Sequence, residues 1–110
     1  MSRENLGNFE LMVLLALMRL GDEAYGVPIA ETLEEALGRE VAAASVYAAL
    51  ERLSQKGLAA SRLGESTPER GGRAKKYFRI TAKGLKEVHA TRTALTGLWK
   101  GLPTLKGEPA

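Results

Sequence analysis

A short basic segment in the second half of the chain contains the residue types best suited to binding chemistry. Residues 69–81 read ERGGRAKKYFRIT, with arginine and lysine side chains on both sides of a Gly-Gly pair. Guanidinium and ammonium groups bind carboxylate and phosphate, and glycines let the backbone turn and come close to a ligand. The segment is therefore predicted to bind an anionic partner.

Positive charge is concentrated around this segment. Residues 69–86 carry seven basic side chains and one acidic one, a balance of +6, whereas all 110 residues together have a net charge of +3. The other 92 residues therefore carry nine basic and twelve acidic side chains, a balance of −3. This asymmetry gives the protein one basic face, and phosphate is the commonest partner of such a face.

The sequence contains little that could support catalysis or metal binding. It has no cysteine and a single histidine, His89, in the middle of a predicted helix. There is no nucleophile–base pairing, metal-ligand spacing or phosphate-binding loop. We therefore predict a protein that is not an enzyme and has no metal site or cofactor. No apolar run approaches the roughly 18 residues of a membrane span, so we expect a cytoplasmic protein without a membrane partner.

Hydrophobic periodicity predicts three helices in the first half of the chain. The first begins at Asn8, whose side chain can cap it. The second runs through residues 28–37 and the third through residues 43–56. Apolar residues recur on the first helix at helical spacing: Leu11, Leu14, Leu15 and Met18.

The rest of the chain predicts a β-hairpin and one closing helix. Strand-like segments at residues 58–63 and 75–80 flank a loop rich in glycine, proline, serine and threonine. Thr81 has the chemistry of a helix cap, and Pro103 prevents the closing helix from continuing. The predicted fold class is mainly α with a small β-hairpin: a winged helix-turn-helix with a C-terminal dimerisation helix.

This order of elements divides the chain into three parts. Residues 6–81 are predicted to form a winged-helix DNA-binding domain. Residues 82–102 form the dimerisation helix of the same compact unit, and residues 103–110 a flexible tail.

The winged-helix fold assigns roles to the third helix and to the hairpin loop, residues 65–75, which we call the wing. The third helix enters the major groove of duplex DNA, and the wing contacts the phosphate backbone. With Val46, Leu50 and Leu53 turned inward, the exposed side of the third helix is predicted to hold Ala44, Tyr47, Ala48, Glu51 and Gln55. The hydroxyl groups of Ser45 and Tyr47 suit phosphate oxygens. Tyr47 is equally compatible with a half-buried aromatic residue whose hydroxyl is solvated, and Arg52 and Lys56 with solvated charges on the helix. The candidate DNA contacts are Ala44, Ser45, Tyr47, Ala48, Arg52, Lys56, Arg70, Gly71, Gly72, Arg73, Lys75 and Lys76.

The closing helix carries a stripe that predicts a homodimer. Six residues follow the spacing of a heptad seam, which suits a partner helix: Leu85, Val88, Arg92, Leu95, Trp99 and Leu102. Arg92 is the polar exception on this stripe. Leu11 and Leu15 on the first helix are predicted to contribute as well. The alternative is a helix that packs only on its own domain. Two-fold pairing would match a palindromic operator.

Three stretches of the chain resemble the PadR family of bacterial transcriptional regulators. They read LGNFELMVLLALMRLGDEAYGVPIAETLEEAL, SVYAALERLSQKGL and ERGGRAKKYFRITAKG, and all three lie between residue 6 and about residue 86. The resemblance implies a dimeric, winged-helix repressor of transport, detoxification or stress genes. It also implies that Tyr47 contacts phosphate, and that the basic residues and glycines between Arg70 and Lys76 form the family's wing motif.

The chain departs from the family pattern in two respects. Many members add a second helical domain, whereas this chain resembles the short subgroup. Some members of that subgroup bind planar drugs between paired tryptophans, and Trp99 lies about one turn beyond the position associated with that role. Trp99 therefore has two interpretations, a contact for a small aromatic effector or an anchor of the dimer interface.

A winged helix that binds protein instead of DNA is the alternative function. Such a module has no need for seven basic residues within residues 69–86. The charge distribution therefore favours DNA.

Overall fold

The computed structural model describes residues 6–64 and 75–103. Its described elements are α1 (Asn8–Leu20), a 3₁₀ turn (Gly21–Glu23), α2 (Gly26–Leu37), α3 (Ala43–Gln55), β1 (Ala59–Leu63), β2 (Lys76–Ile80) and α4 (Ala82–Trp99). The mainly helical fold with a two-stranded antiparallel hairpin is confirmed.

The core lies where the first three helices meet the hairpin. Each element contributes apolar side chains that are almost fully enclosed, and enclosing one such side chain stabilises the fold by about 1.5–3 kcal/mol. The most deeply buried are Val13, Leu14, Leu17, Ile29, Val46, Leu50 and Leu53. Leu58 and Phe78 extend the same cluster to the hairpin. The inward set predicted for the third helix is confirmed, because Val46, Ala49, Leu50 and Leu53 are its buried residues.

The hairpin is joined to the helices by a short additional pairing. β1 and β2 run antiparallel, with Ser61 opposite Phe78 in the register. The connection between the 3₁₀ turn and α2 pairs with the other edge of β2: Tyr25 forms a bridge with Tyr77, and the Phe78 amide donates to the Ala24 carbonyl at 2.8 Å. This third partner of the hairpin was not predicted, because two residues are too few to give a strand pattern.

The start of α4 matches the prediction. The Thr81 hydroxyl accepts from the Gly84 amide at 3.0 Å and donates to the Gly57 carbonyl at 2.7 Å. One side chain thus caps the helix and ties it to the end of α3. Gly84 lies against the hairpin so closely that a Cβ would collide with the Leu58 carbonyl. The first turn of α4 is therefore fixed to the domain.

The predicted cap of α1 and the predicted end of α4 were wrong, although α1 begins at Asn8 as predicted. The N-cap of α1 is Gly7, whose carbonyl accepts from the Leu11 amide at 2.9 Å, so Asn8 is already helical and does not cap. At the other end, α4 ends at Trp99 because Lys100 is extended and Gly101 has a positive φ of 79°. Leu102 therefore lies outside the helix, although the predicted range reached it.

The apolar stripe predicted for the first helix is divided between two surfaces. Leu14 is fully buried, whereas Leu15 and Met18 remain 45% and 41% exposed. Val13 and Leu17 complete the core face in their place. α1 is apolar on most of its circumference, so spacing alone could not identify the buried side.

Candidate nucleic-acid interface

α3 turns one polar and small-residue face to solvent. Its apolar stripe is buried, which fixes the rotation of the helix and leaves Ala44, Ala48, Glu51 and Gln55 exposed. Small side chains let a helix approach base edges, while carboxylate and amide groups can pair with the edges of cytosine and adenine. Glu51 and Gln55 were predicted to lie on this exposed side, but they were not included among the candidate DNA contacts.

Tyr47 lies on the flank of α3 that faces α2. Its ring is half exposed, and its hydroxyl end packs on the backbone of Gly26, the first residue of α2. A Cβ at Gly26 would lie 2.7 Å from Tyr47 Cζ, so a larger residue there would require the half-exposed Tyr47 ring to move. The predicted DNA contact therefore also packs against the start of α2.

A three-residue ion cluster, Glu10, Arg52 and Lys56, lies on the opposite flank of α3; we call it the Glu10 triad. Glu10 Oε2 accepts from Arg52 Nε at 2.8 Å, and Oε1 accepts from Lys56 Nζ at 2.9 Å. The Glu10 side chain is 9% exposed, whereas the Arg52 side chain is 51% exposed. Both cations were predicted as DNA contacts, and the structure places both of them against α1. Glu10 was missed, although an acidic residue within an apolar helix was a usable signal.

The environment of Glu10 lowers its pKa. Burial by itself raises the pKa, but hydrogen bonds from Lys56 and Arg52, together with their positive charge, outweigh that effect. A carboxyl group whose pKa is lower in the folded state stabilises the fold above its ordinary value of 4.5. This stabilisation disappears as the pH falls through the lowered value.

Glu10→Gln should therefore make the stability less sensitive to acid. At neutral pH we expect the variant to lose about 1 kcal/mol of unfolding free energy, because charged hydrogen bonds are lost but solvent screens the partly exposed cations. Well below pH 4.5 the wild type and the variant should converge. Urea unfolding followed by circular dichroism at both pH values measures this. Stability curves that stay parallel would contradict the role assigned to the Glu10 carboxylate.

Two aromatic rings and two cations pack together at the base of the hairpin, with one cation over each ring. Lys75 Nζ lies 4.1 Å from the centre of the Tyr25 ring, and Arg62 Cζ lies 4.5 Å from the centre of the Tyr77 ring. The two rings meet edge to face, with centres 5.4 Å apart. Cation–π contacts of this kind contribute about 0.5–1 kcal/mol each at exposed sites. Lys75 is thus held at the root of the wing.

The wing itself is only partly covered by the structure. Lys75, its last residue, is described, and so is Lys76, which directly follows the wing and is exposed at the start of β2. Arg70, Gly71, Gly72 and Arg73 lie outside the described residues, and their predicted role stays a prediction.

Most residues predicted to form the dimer line a single cleft between α1 and α4. The cleft measures about 380 Å³ and its walls include Leu11, Leu15, Val88, Arg92, Leu95 and Trp99. Val88 is 5% exposed and forms part of the core. Leu85 is partly exposed near the start of α4, and Leu102 lies beyond its end.

The C-terminal half of α4 extends past the core. Its described residues from position 92 onward are all exposed, and among them Leu98 and Trp99 are 74% and 67% exposed. A helix of 18 residues spans about 27 Å, and the core covers only its first turns. Contiguous exposed apolar side chains of this size mark an interaction surface.

The described part of the chain shows neither a metal-binding cluster nor a membrane span. Residues 6–64 and 75–103 contain no group of three or more potential metal ligands from histidine, cysteine, aspartate and glutamate. Within the same residues, none of the helices combines the length and the hydropathy needed to cross a bilayer.

Solved structures of transcriptional regulators share this fold. A PadR family transcriptional regulator from Eggerthella lenta is 30% identical, with a TM-score of 0.65 over 82% of this chain and 76% of that chain. A PadR-like transcription factor from Bacteroides fragilis is 27% identical, with a TM-score of 0.72 over 84% of each chain. A transcriptional regulator from Clostridium thermocellum is 25% identical, with a TM-score of 0.68 over 83% of this chain and 82% of that chain.

A family model, compared with the sequence alone, also matches a family of transcriptional regulators. Comparison with curated proteins gives no match. The model of the transcriptional regulator PadR-like family matches residues 14–90, which are 77 of the 110 residues and include all of α2, α3 and the hairpin. The chain therefore belongs to the PadR-like family of transcriptional regulators.

Proposed function

We propose that the protein is a homodimeric repressor that binds a palindromic operator in duplex DNA. α3 enters the major groove with its exposed face, and the wing, residues 65–75, contacts the phosphate backbone beside it. The observation that carries this proposal is the orientation of α3. Its apolar stripe is fully buried, and the exposed face carries only small and polar side chains around Ala44, Ala48 and Gln55.

The proposed contacts divide into two kinds. Ser45, Tyr47 and the basic residues of the wing bind phosphate, and these contacts fix the protein on the duplex without reading its sequence. Glu51 and Gln55 face outward on α3, where they would reach base edges and supply specificity.

The cleft between α1 and α4 supports the proposed homodimer. Three apolar residues of the heptad stripe, Val88, Leu95 and Trp99, line it, and the end of α4 projects beyond its own core. A second copy of the chain would cover both the cleft and the projecting end of α4. Trp99, at the edge of the cleft, would anchor this interface and would contact a small aromatic effector if the regulator responds to one.

The family resemblance suggests a class of regulated genes, and duplex DNA as the partner suggests where in the cell the protein acts. The resemblance of the wing and α3 to PadR regulators favours an operon for transport, detoxification or stress genes. It also favours a repressor rather than an enzyme. Because duplex DNA is the partner, we place the protein in the cytoplasm. A winged helix that binds protein instead would leave the balance of +6 over residues 69–86 without a role.

Removing the wing arginines tests the proposal. Arg70→Ala together with Arg73→Ala should weaken binding to all duplex sequences alike and reduce the salt slope by about 1 for each phosphate that is no longer neutralised. The matched control, Arg19→Ala with Lys100→Ala, removes two positive charges outside the basic segment and should leave the slope unchanged. Fluorescence titrations of operator and random duplexes across salt measure both variants. Loss of binding to the operator alone would mean that the wing reads bases, contrary to the proposal.

A further inference from the structure

The Glu10 triad joins α3, the helix proposed to enter the major groove, to α1, which lines one side of the proposed dimer cleft. Glu10 lies next to Leu11 in α1, yet its carboxylate reaches α3 and bonds to Arg52 and Lys56 with both oxygens. The two cations are separated by one helical turn, and the nearly buried carboxylate is shared between them. One negative charge is therefore fixed within hydrogen-bonding distance of two positive charges.

The exposed side of Arg52 opens onto a shallow cleft along α3. Phe9, Arg39, Ser45, Ala48 and Arg52 are among the residues that line this cleft. If α3 lies in the major groove, this flank faces a phosphate strand. A phosphate that reaches Arg52 must share its guanidinium group with Glu10, because Arg52 Nε already donates to the carboxylate at 2.8 Å.

Competition between Glu10 and a DNA phosphate for Arg52 affects the part of the binding free energy that comes from phosphate contacts. Phosphate contacts supply nearly all sequence-independent affinity, and each one adds to the salt dependence through the release of counterions. Base contacts are unaffected by a carboxylate that is held between α1 and α3. What matters for a regulator is the ratio of specific to non-specific affinity, since random sites far outnumber operators.

We propose that Glu10 is a positioning residue that sets this ratio, by holding Arg52 and Lys56 against α1 and limiting their contacts with the DNA backbone. The proposal rests on the DNA-binding function proposed above. It assigns to α1 a role in discrimination, in addition to its place in the core and at the cleft.

Glu10→Gln tests the proposal, because it removes the charge and keeps the size of the side chain. Binding of a random-sequence DNA duplex should become tighter at low salt, with a slope steeper by about 0.9 for each additional phosphate that the protein neutralises, or about 1–2 for a dimer. The ratio of operator to random affinity should fall. Loss of a merely structural contact would weaken binding, so tighter binding separates the two roles.

Two further variants serve as controls. Glu35→Gln makes the same charge change on the exposed face of α2 and should leave the slope unchanged. Adding Arg52→Gln and Lys56→Gln to Glu10→Gln should abolish the extra slope. Circular dichroism establishes that each variant is folded.

A second measurement covers the case in which Glu10→Gln does not fold. Arg52→Gln alone keeps Lys56 as a partner for Glu10 and should reduce the slope by clearly less than one full phosphate contact, below about 0.9 per protomer. A full reduction, or a slope for Glu10→Gln equal to or shallower than that of the wild type, would overturn the inference. If the wild type itself shows no salt dependence, the proposed function fails instead.

Discussion

The affinity of the protein for duplex DNA is expected to fall by about 10³–10⁵ between about 50 and 200 mM salt. This range applies to a dimer that neutralises roughly six to ten phosphates, or about three to five per protomer. Four of the proposed contacts in each protomer carry the positive charge that neutralises phosphate, which falls within this range: Arg70, Arg73, Lys75 and Lys76. Because each contact releases counterions, the logarithm of the affinity should fall linearly with the logarithm of the salt concentration.

Titration of a fluorescent duplex at several salt concentrations gives this slope directly. A short single strand of the same composition serves as the control, since a smaller charge density predicts a smaller slope per contact. A flat response with the duplex would contradict DNA binding through the basic segment and would favour the protein-binding alternative.

Leu95→Arg is expected to convert the proposed dimer into a monomer. Leu95 is 40% exposed and lines the cleft between α1 and α4. In the proposed dimer a partner copy covers this cleft, so an arginine there would be buried without a counter-charge. Such a charge costs about 3 kcal/mol or more, which raises the dimer dissociation constant more than about a hundredfold. Operator affinity should fall with it, because one recognition helix reads only a few base pairs.

The neighbouring substitution Thr93→Arg provides the matched control. Thr93 is exposed on α4 and is not among the residues that line the cleft, so the same side chain there should leave the dimer intact. Sedimentation gives the oligomeric state, and circular dichroism should show that both variants remain folded, with a helical content close to that of the wild type. A Leu95→Arg protein that stays dimeric would place the seam elsewhere, and a monomer with undiminished operator affinity would refute the coupling between assembly and recognition.

Local patterns explain why much of the fold was predictable. The inward set of α3 follows from the spacing of Val46, Leu50 and Leu53, and Thr81 is a threonine directly before a helical run. Such signals depend on residues within one or two turns of each other. They indicated the order of elements and most of their limits to within a residue or two.

Local sequence patterns do not predict contacts between segments that are far apart in the chain. Glu10 and Arg52 are 42 positions apart, and no local pattern indicates that they meet. The bridge between Tyr25 and Tyr77 depends on tertiary packing in the same way. On α1, apolar residues surround the helix, so only the packed structure distinguishes Leu14 in the core from Leu15 at the cleft.

The operator itself offers the most direct test of the central claim, that two copies of α3 read DNA about a two-fold axis. Footprinting of the wild-type protein on the DNA upstream of its own gene provides the measurement. Two related half-sites should be protected, with centres about 10 base pairs or roughly 34–36 Å apart, the spacing of one turn of B-DNA. A single unpaired half-site, or no protection at a protein concentration that saturates the duplex in titration, would contradict the account.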